Sequence, residues 1–214
     1  MADHSAVDSP AAETTLNVPD LEIRARILES AAALFYTKGV ASTSLTDIRK
    51  ASSTSESQLS NHFPDKTSLV HAVIDIQSRH VLAREEDRLA EVTSFSGLRR
   101  WRDALIRSNT LQDGSYGCAL GSMSTELSDK DERSRTALAL AFRSWQQLLV
   151  DALERLRQQG VLSPDVDTRK LGTGLLAALQ GGYVLAQNAH SSQPMADALD
   201  MALDRISSFA THAG

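Results

Sequence analysis

The residues with the clearest chemical pattern lie in the stretch SESQLSNHFPDK, residues 55–66. Ser55, Ser57, Gln58, Ser60, Asn61 and His62 are all hydrogen-bonding types, and they surround two large apolar residues, Leu59 and Phe63, four positions apart. A helix with this spacing buries one narrow stripe and leaves hydroxyls, amides and an imidazole on the remaining face. Gln and Asn can pair bidentately with adenine in the major groove, at about 1–3 kcal/mol of discrimination per good pair. The chemistry on offer is therefore polar recognition. Neither a nucleophile elbow nor a Gly-rich phosphate loop is present, and the six histidines and single cysteine have no metal-ligand spacing, so the reading is of a non-enzyme with no metal and no cofactor.

The elements that position these side chains are signalled just as clearly. Ser55 and Gln58 have the S-x-x-Q spacing of a capping box and predict a helix from residue 56 to about His62, ended by Pro64. Ser44 and Asp47 predict the same device one helix earlier, with Leu45, Ile48 and Ala51 on one face. Residues 20–38 carry an amphipathic stripe (Ile23, Ile27, Leu28, Ala31, Leu34, Phe35), and Gly39 follows as a natural C-terminal cap. Two short helices joined by the turn Ser52-Ser53-Thr54, behind a longer one, form a helix-turn-helix pattern whose last helix enters the major groove.

Residues 24–74 resemble the DNA-binding domain of the TetR-type transcriptional regulators. The match rests on RILESAAALF, Gly39, the T-S-L-T-D-I run at 43–48, Ala51, and L-x-x-H-F-P-D-K from Leu59 to Lys66. The segment GCALGSMSTEL, 117–127, resembles a subgroup of that family. The resemblance implies that Lys66 and Thr46 contact phosphate and that Ser57, Gln58 and His62 lie in or beside the groove. It also implies a variable helical domain for a small-molecule effector, and a homodimer built on the last two helices. Three positions depart from the family pattern: Ser53 replaces a glycine, Thr54 a branched apolar residue, and Ser60 a tyrosine.

The 214 residues, 42% hydrophobic and 23% charged, are ordinary for a globular chain. No run of eighteen apolar residues and no secretory leader are visible, and a lone Cys118 fits a reducing compartment, so the chain reads as cytoplasmic with no membrane partner. The net charge of −5 is unusual for a nucleic-acid binder. Between residues 22 and 66, six cations (Arg24, Arg26, Lys38, Arg49, Lys50, Lys66) face five anions (Glu22, Glu29, Asp47, Glu56, Asp65). Ionic phosphate contacts are then few, and backbone N–H groups at the helix starts near Ser44 and Asp65 become phosphate donors.

Helical periodicity continues to the C-terminus, with further helices expected near 66–92, 95–112, 118–128, 131–159, 167–189 and 194–211, and a turn at 113–117. The expected organisation is all-α with about nine helices: a flexible tail (1–19), a DNA-binding domain (20–66) and a ligand-binding and dimerisation domain (67–214). Trp101, Met123, Phe142, Trp145 and Tyr183 are the candidates to line an effector pocket, though aromatics at helical spacing also serve as plain core. Gly172, Gly174, Gly181 and Gly182 each cost a helix about 0.5–1 kcal/mol relative to alanine, so the segment needs a close contact in compensation. Either a homodimer through 167–211 or intrachain packing supplies it. The expected function is a homodimeric, ligand-responsive repressor on a near-palindromic operator in double-stranded DNA. The alternative is a helical sensor or protein-interaction module that has lost DNA binding.

Overall fold

A computed structural model describes residues 18–110 and 117–211. Among them are nine α-helices: α1 (Val18–Lys38), α2 (Leu45–Ser52), α3 (Glu56–His62), α4 (Lys66–Ala90), α5 (Phe95–Thr110), α6 (Ala119–Leu127), α7 (Glu132–Gln158), α8 (Thr168–Ala189) and α9 (Gln193–Ser207). No strand is present among the described residues; one isolated antiparallel bridge joins Leu162 to Ala210. The expected tail falls almost wholly outside the described residues, but α1 begins at Val18 and takes in Pro19. Most of the expected turn at 113–117 also lies outside them. The last helix stops at Ser207 instead of running to residue 211, because Phe209 and Thr211 bond across to the 161–163 loop.

Side chains decide where the short helices begin. Ser44, Ser55 and Asp65 each accept the backbone N–H three residues on, and each N3 side chain accepts the cap residue's own N–H in return. All three starts are complete capping boxes, which satisfies two orphan donors at each and is worth about 1 kcal/mol per cap. Asp131 and Asp167 cap α7 and α8 with a single bond each.

One continuous apolar core links all nine helices. α1 packs on α2, α3, α4 and α6, α4 packs along α7, and α7 and α9 flank α8. The buried stripe of α1 (Ile27, Leu28, Ala31, Phe35) shares one core with Ile48, Leu59 and Phe63, so α3 is anchored by Leu59 and its C-cap Phe63. The helical glycines divide. A Cβ on Gly172 would stand 2.7 Å from Val150 Cγ2, and one on Gly182 would stand 2.9 Å from the Met195 Cα, so both are demanded by close packing inside the chain. Gly174 and Gly181 meet nothing and face outward.

Candidate nucleic-acid interface

The turn between α2 and α3 is the first determinant of the site. Ser53 caps α2 in the left-handed conformation (φ 54°, ψ 43°), where its N–H bonds back to Lys50 and Arg49 carbonyls. A side chain here costs about 1–2 kcal/mol relative to a right-handed residue, which is the physical reason glycine suits this place. Beside it, Ser52 and Thr54 are buried with their hydroxyl oxygens 2.8 Å apart, and Ser52 Oγ bonds the Ile48 carbonyl at 2.8 Å. Two hydroxyls thus satisfy each other where an apolar side chain would otherwise pack. The turn is closed by Arg49, whose guanidinium lies 3.2 Å from the Glu56 carboxylate. This surface pair adds little stability but neutralises a cation of α2 locally.

α3 then presents its polar face. Leu59 and Phe63 are only 4% exposed, while Ser55, Ser57, Ser60 and Asn61 are exposed and Gln58 and His62 half-buried. Several of these side chains are already engaged. Ser55 Oγ accepts the Gln58 N–H at 3.1 Å and lies 3.0 Å from Ser57 Oγ, and Ser60 Oγ donates to the Ser57 carbonyl. Gln58 Oε1 accepts the Ser55 N–H at 2.9 Å, so in this conformation the amide offers its NH2 but not its oxygen. Among the described residues the Asn61 side chain has no hydrogen-bond partner, and it keeps both donor and acceptor for one. The His62 ring tilts against Phe63, with centroids 6.5 Å apart.

Around α3, Ser44 and Thr46 are exposed at the start of α2. Asp47 takes a bond from Ser44 Oγ at 2.7 Å as well as from its backbone, and these bonds hold its carboxyl below the usual range. Lys66, at the start of α4, reaches the Ala41 carbonyl at 3.5 Å. Arg24, which carries no special sequence signal, lies with its guanidinium 5.4 Å from the centre of the Phe63 ring, in cation–π range. Ser44, Thr46 and Asn61 are exposed and His62 and Lys66 half-buried, on α2, α3 and the start of α4.

The candidate ligand residues do not stay together. Trp145 and Tyr183 form part of a cavity of about 420 Å³ between α1, α4, α6, α7 and α8. Trp101, Met123 and Phe142 do not line it. Trp101 is buried with its Nε1–H donating at 3.0 Å to Glu85, a fully buried carboxylate that also takes the Arg88 guanidinium at 2.9 Å. Met123 belongs to the core, and half-buried Phe142 stacks on Trp145 with ring centres 6.4 Å apart. The cavity instead gains Leu28, Ala32 and Tyr36 from α1, with Arg84 and Cys118 opposite. Nothing local in the sequence marks the α1 residues, since they belong to a stripe that reads as core. The Trp145 indole N–H is buried without an acceptor among the described residues. Burial raises the pKa of the Tyr183 hydroxyl and of the Cys118 thiol, which keeps both protonated at neutral pH. Among the described residues no cluster of His, Cys, Asp or Glu could hold a metal, and no helix is long and apolar enough to cross a membrane.

Residues 27–73 match the family model described as "Bacterial regulatory proteins, tetR family", and residues 95–201 match that of the "Transcriptional regulator LmrA/YxaF-like, C-terminal domain". An HTH-type transcriptional regulator from the lacX 3' region of Lactococcus lactis subsp. lactis is 30% identical over 139 residues, 61% of this chain and 68% of the relative. The HTH-type transcriptional regulator TtgR of Pseudomonas putida is 35% identical over 81 residues, 37% of this chain and 39% of the relative. In fold, the chain is similar to a TetR-family transcriptional regulator from Cytophaga hutchinsonii, with a TM-score of 0.78 at 22% identity over 92% of this chain and 99% of that one.

Proposed function

Because the chain belongs to the TetR family of helix-turn-helix transcriptional regulators, we propose that it acts as a homodimeric repressor that binds a near-palindromic operator and releases it when an effector fills the cavity beside Trp145 and Tyr183. The observation that carries this reading is α3 itself: a capped, seven-residue helix anchored by Leu59 and Phe63, with Asn61 and the serines turned outward. Such a rod fits the major groove, and this reading assigns Lys66, Thr46 and the exposed cap Ser44 to flanking phosphates.

Dimerisation is supported by the outer face of α8 and α9. Val184, Leu185 and Met201 are 63%, 56% and 70% exposed, beside the open Cα positions of Gly174 and Gly181. Three large apolar side chains left in water next to two unfilled glycines suit a close helix-on-helix contact with a second copy. In such a dimer two α3 helices would enter successive major grooves about 34–36 Å apart.

A second reading has an observation of its own. With Ser53 in a left-handed turn and Arg49 tied to Glu56, the interface has few free cations and a strained turn, as in a sensor that no longer binds DNA. Selection from random duplexes at low salt separates the two. Enrichment of a palindrome supports the regulator, and failure to enrich any sequence supports the sensor.

A further inference from the structure

α6 touches two functional regions at once. Its start, the cap residue Cys118 and Ala119, forms part of the wall of the cavity that Leu28, Ala32 and Tyr36 of α1 also line. Near its other end is Glu126. After α1 ends, Gly39 turns left-handed (φ +84°) and brings the N–H groups of Val40 and Ala41 to one side, a concavity that suits an anion. The Glu126 carboxylate fills it: Val40 N–H donates to Oε2 at 2.8 Å and Ala41 N–H donates to Oε1. A Cβ on residue 39 would stand 3.2 Å from Oε2, so glycine also makes room for the carboxylate. The carbonyl of Ala41 is in turn approached by Lys66 Nζ, the cation at the start of α4.

We propose that Glu126 is a positioning residue that fixes the α1–α3 unit at one angle to the rest of the chain and so sets the separation of the two α3 helices. The proposal rests on the DNA-binding reading above for its consequence, but not for its geometry. One carboxylate with an oxygen on each of two consecutive amides resists rotation of the loop in a way that apolar contact does not. The same short helix that lines the cavity carries the carboxylate, so an effector that shifts the start of α6 moves the grip on the loop.

Two measurements test it on Glu126→Ala and, as a milder variant that keeps one acceptor, Glu126→Gln. The first compares binding to the palindrome that the wild type selects with binding to the same duplex lengthened by one or two base pairs between its half-sites. The wild type should discriminate sharply against the longer duplexes. Glu126→Ala should shrink that discrimination by about tenfold, within the usual range of coupling between sites, with Glu126→Gln between the two. A purely stabilising role would lower binding to all spacings alike, and equal discrimination in all three proteins overturns the proposal. The second needs no DNA. Spin labels at Lys50→Cys and Arg143→Cys, in a Cys118→Ser background diluted with unlabelled protein, report the angle of the α1–α3 unit within one protomer. The distance distribution should be narrow with Glu126 and broad with alanine. Unchanged widths overturn the proposal, including in the case where no duplex is selected and the DNA-binding reading itself has failed.

Discussion

Gln58 Oε1 lies 2.9 Å from the Ser55 backbone nitrogen, so the side chain best suited to read adenine is folded back onto the start of its own helix. Asn61, one turn on, is exposed, and its side chain has no partner among the described residues. The two amides of α3 thus do different work. Gln58→Ala should lower stability by about 1 kcal/mol through loss of the bond from the Ser55 N–H to Oε1 and weaken binding to all duplexes alike. Asn61→Ala should leave stability unchanged and relax preference at one base pair by about 1–3 kcal/mol. Thermal melts and a repeated duplex selection on both variants check this; a base-specific change from Gln58→Ala would show that the cap opens on DNA.

Lys66 is one of few cations at the proposed interface. Lys66→Ala should weaken all sequences to a similar degree and lower the slope of log K against log salt by about 0.9. The wild-type slope should itself be shallow, since Arg49 is paired with Glu56. Titrations across a salt series measure both.

Ser53 holds a conformation that favours glycine. Ser53→Gly should stabilise the protein by about 1 kcal/mol, or roughly 2–4 °C in the melting midpoint for a chain of this length. An unchanged or lower midpoint would mean that the serine side chain offsets its own strain.

The glycines of α8 should separate by direction. Gly172→Ala drives a methyl group against Val150 and should cost about 1–3 kcal/mol. Gly174→Ala meets nothing and should stabilise the isolated chain by about 0.5–1 kcal/mol. Gly174→Leu should fold normally yet weaken the proposed dimer, which sedimentation would register.

His71 Nε2 lies 2.8 Å from Asp131 Oδ2, joining α4 to the cap of α7. Bonds from Ser134, and next the His71 contact, hold the Asp131 carboxyl well below its ordinary range. A depressed carboxyl pKa contributes stability that is fully present above the unfolded value, near 3.9, and is lost as the pH falls below it toward the folded value. Asp131→Asn keeps a capping acceptor, so it should melt lower than wild type at pH 7, with the difference shrinking steadily below about pH 4.

By itself the amino-acid sequence determined what depends on neighbours along the chain. The capping boxes at Ser44 and Ser55, the stop at Gly39 and the two-residue anchor of α3 act over three or four positions, so composition and spacing were enough to place them. Distant packing was decided only by the tertiary structure. Four similar glycines proved to be two that make room for Val150 and Met195 and two that face outward, because helical spacing alone does not say which neighbour lies against each side. Five aromatic or sulfur-bearing candidates parted in the same way, with Trp101 drawn off by buried Glu85 while α1 supplied the missing wall of the cavity. The grip of Glu126 on Val40 spans 86 positions, a separation at which chain geometry carries no trace of the contact until the core has brought α6 beside α1.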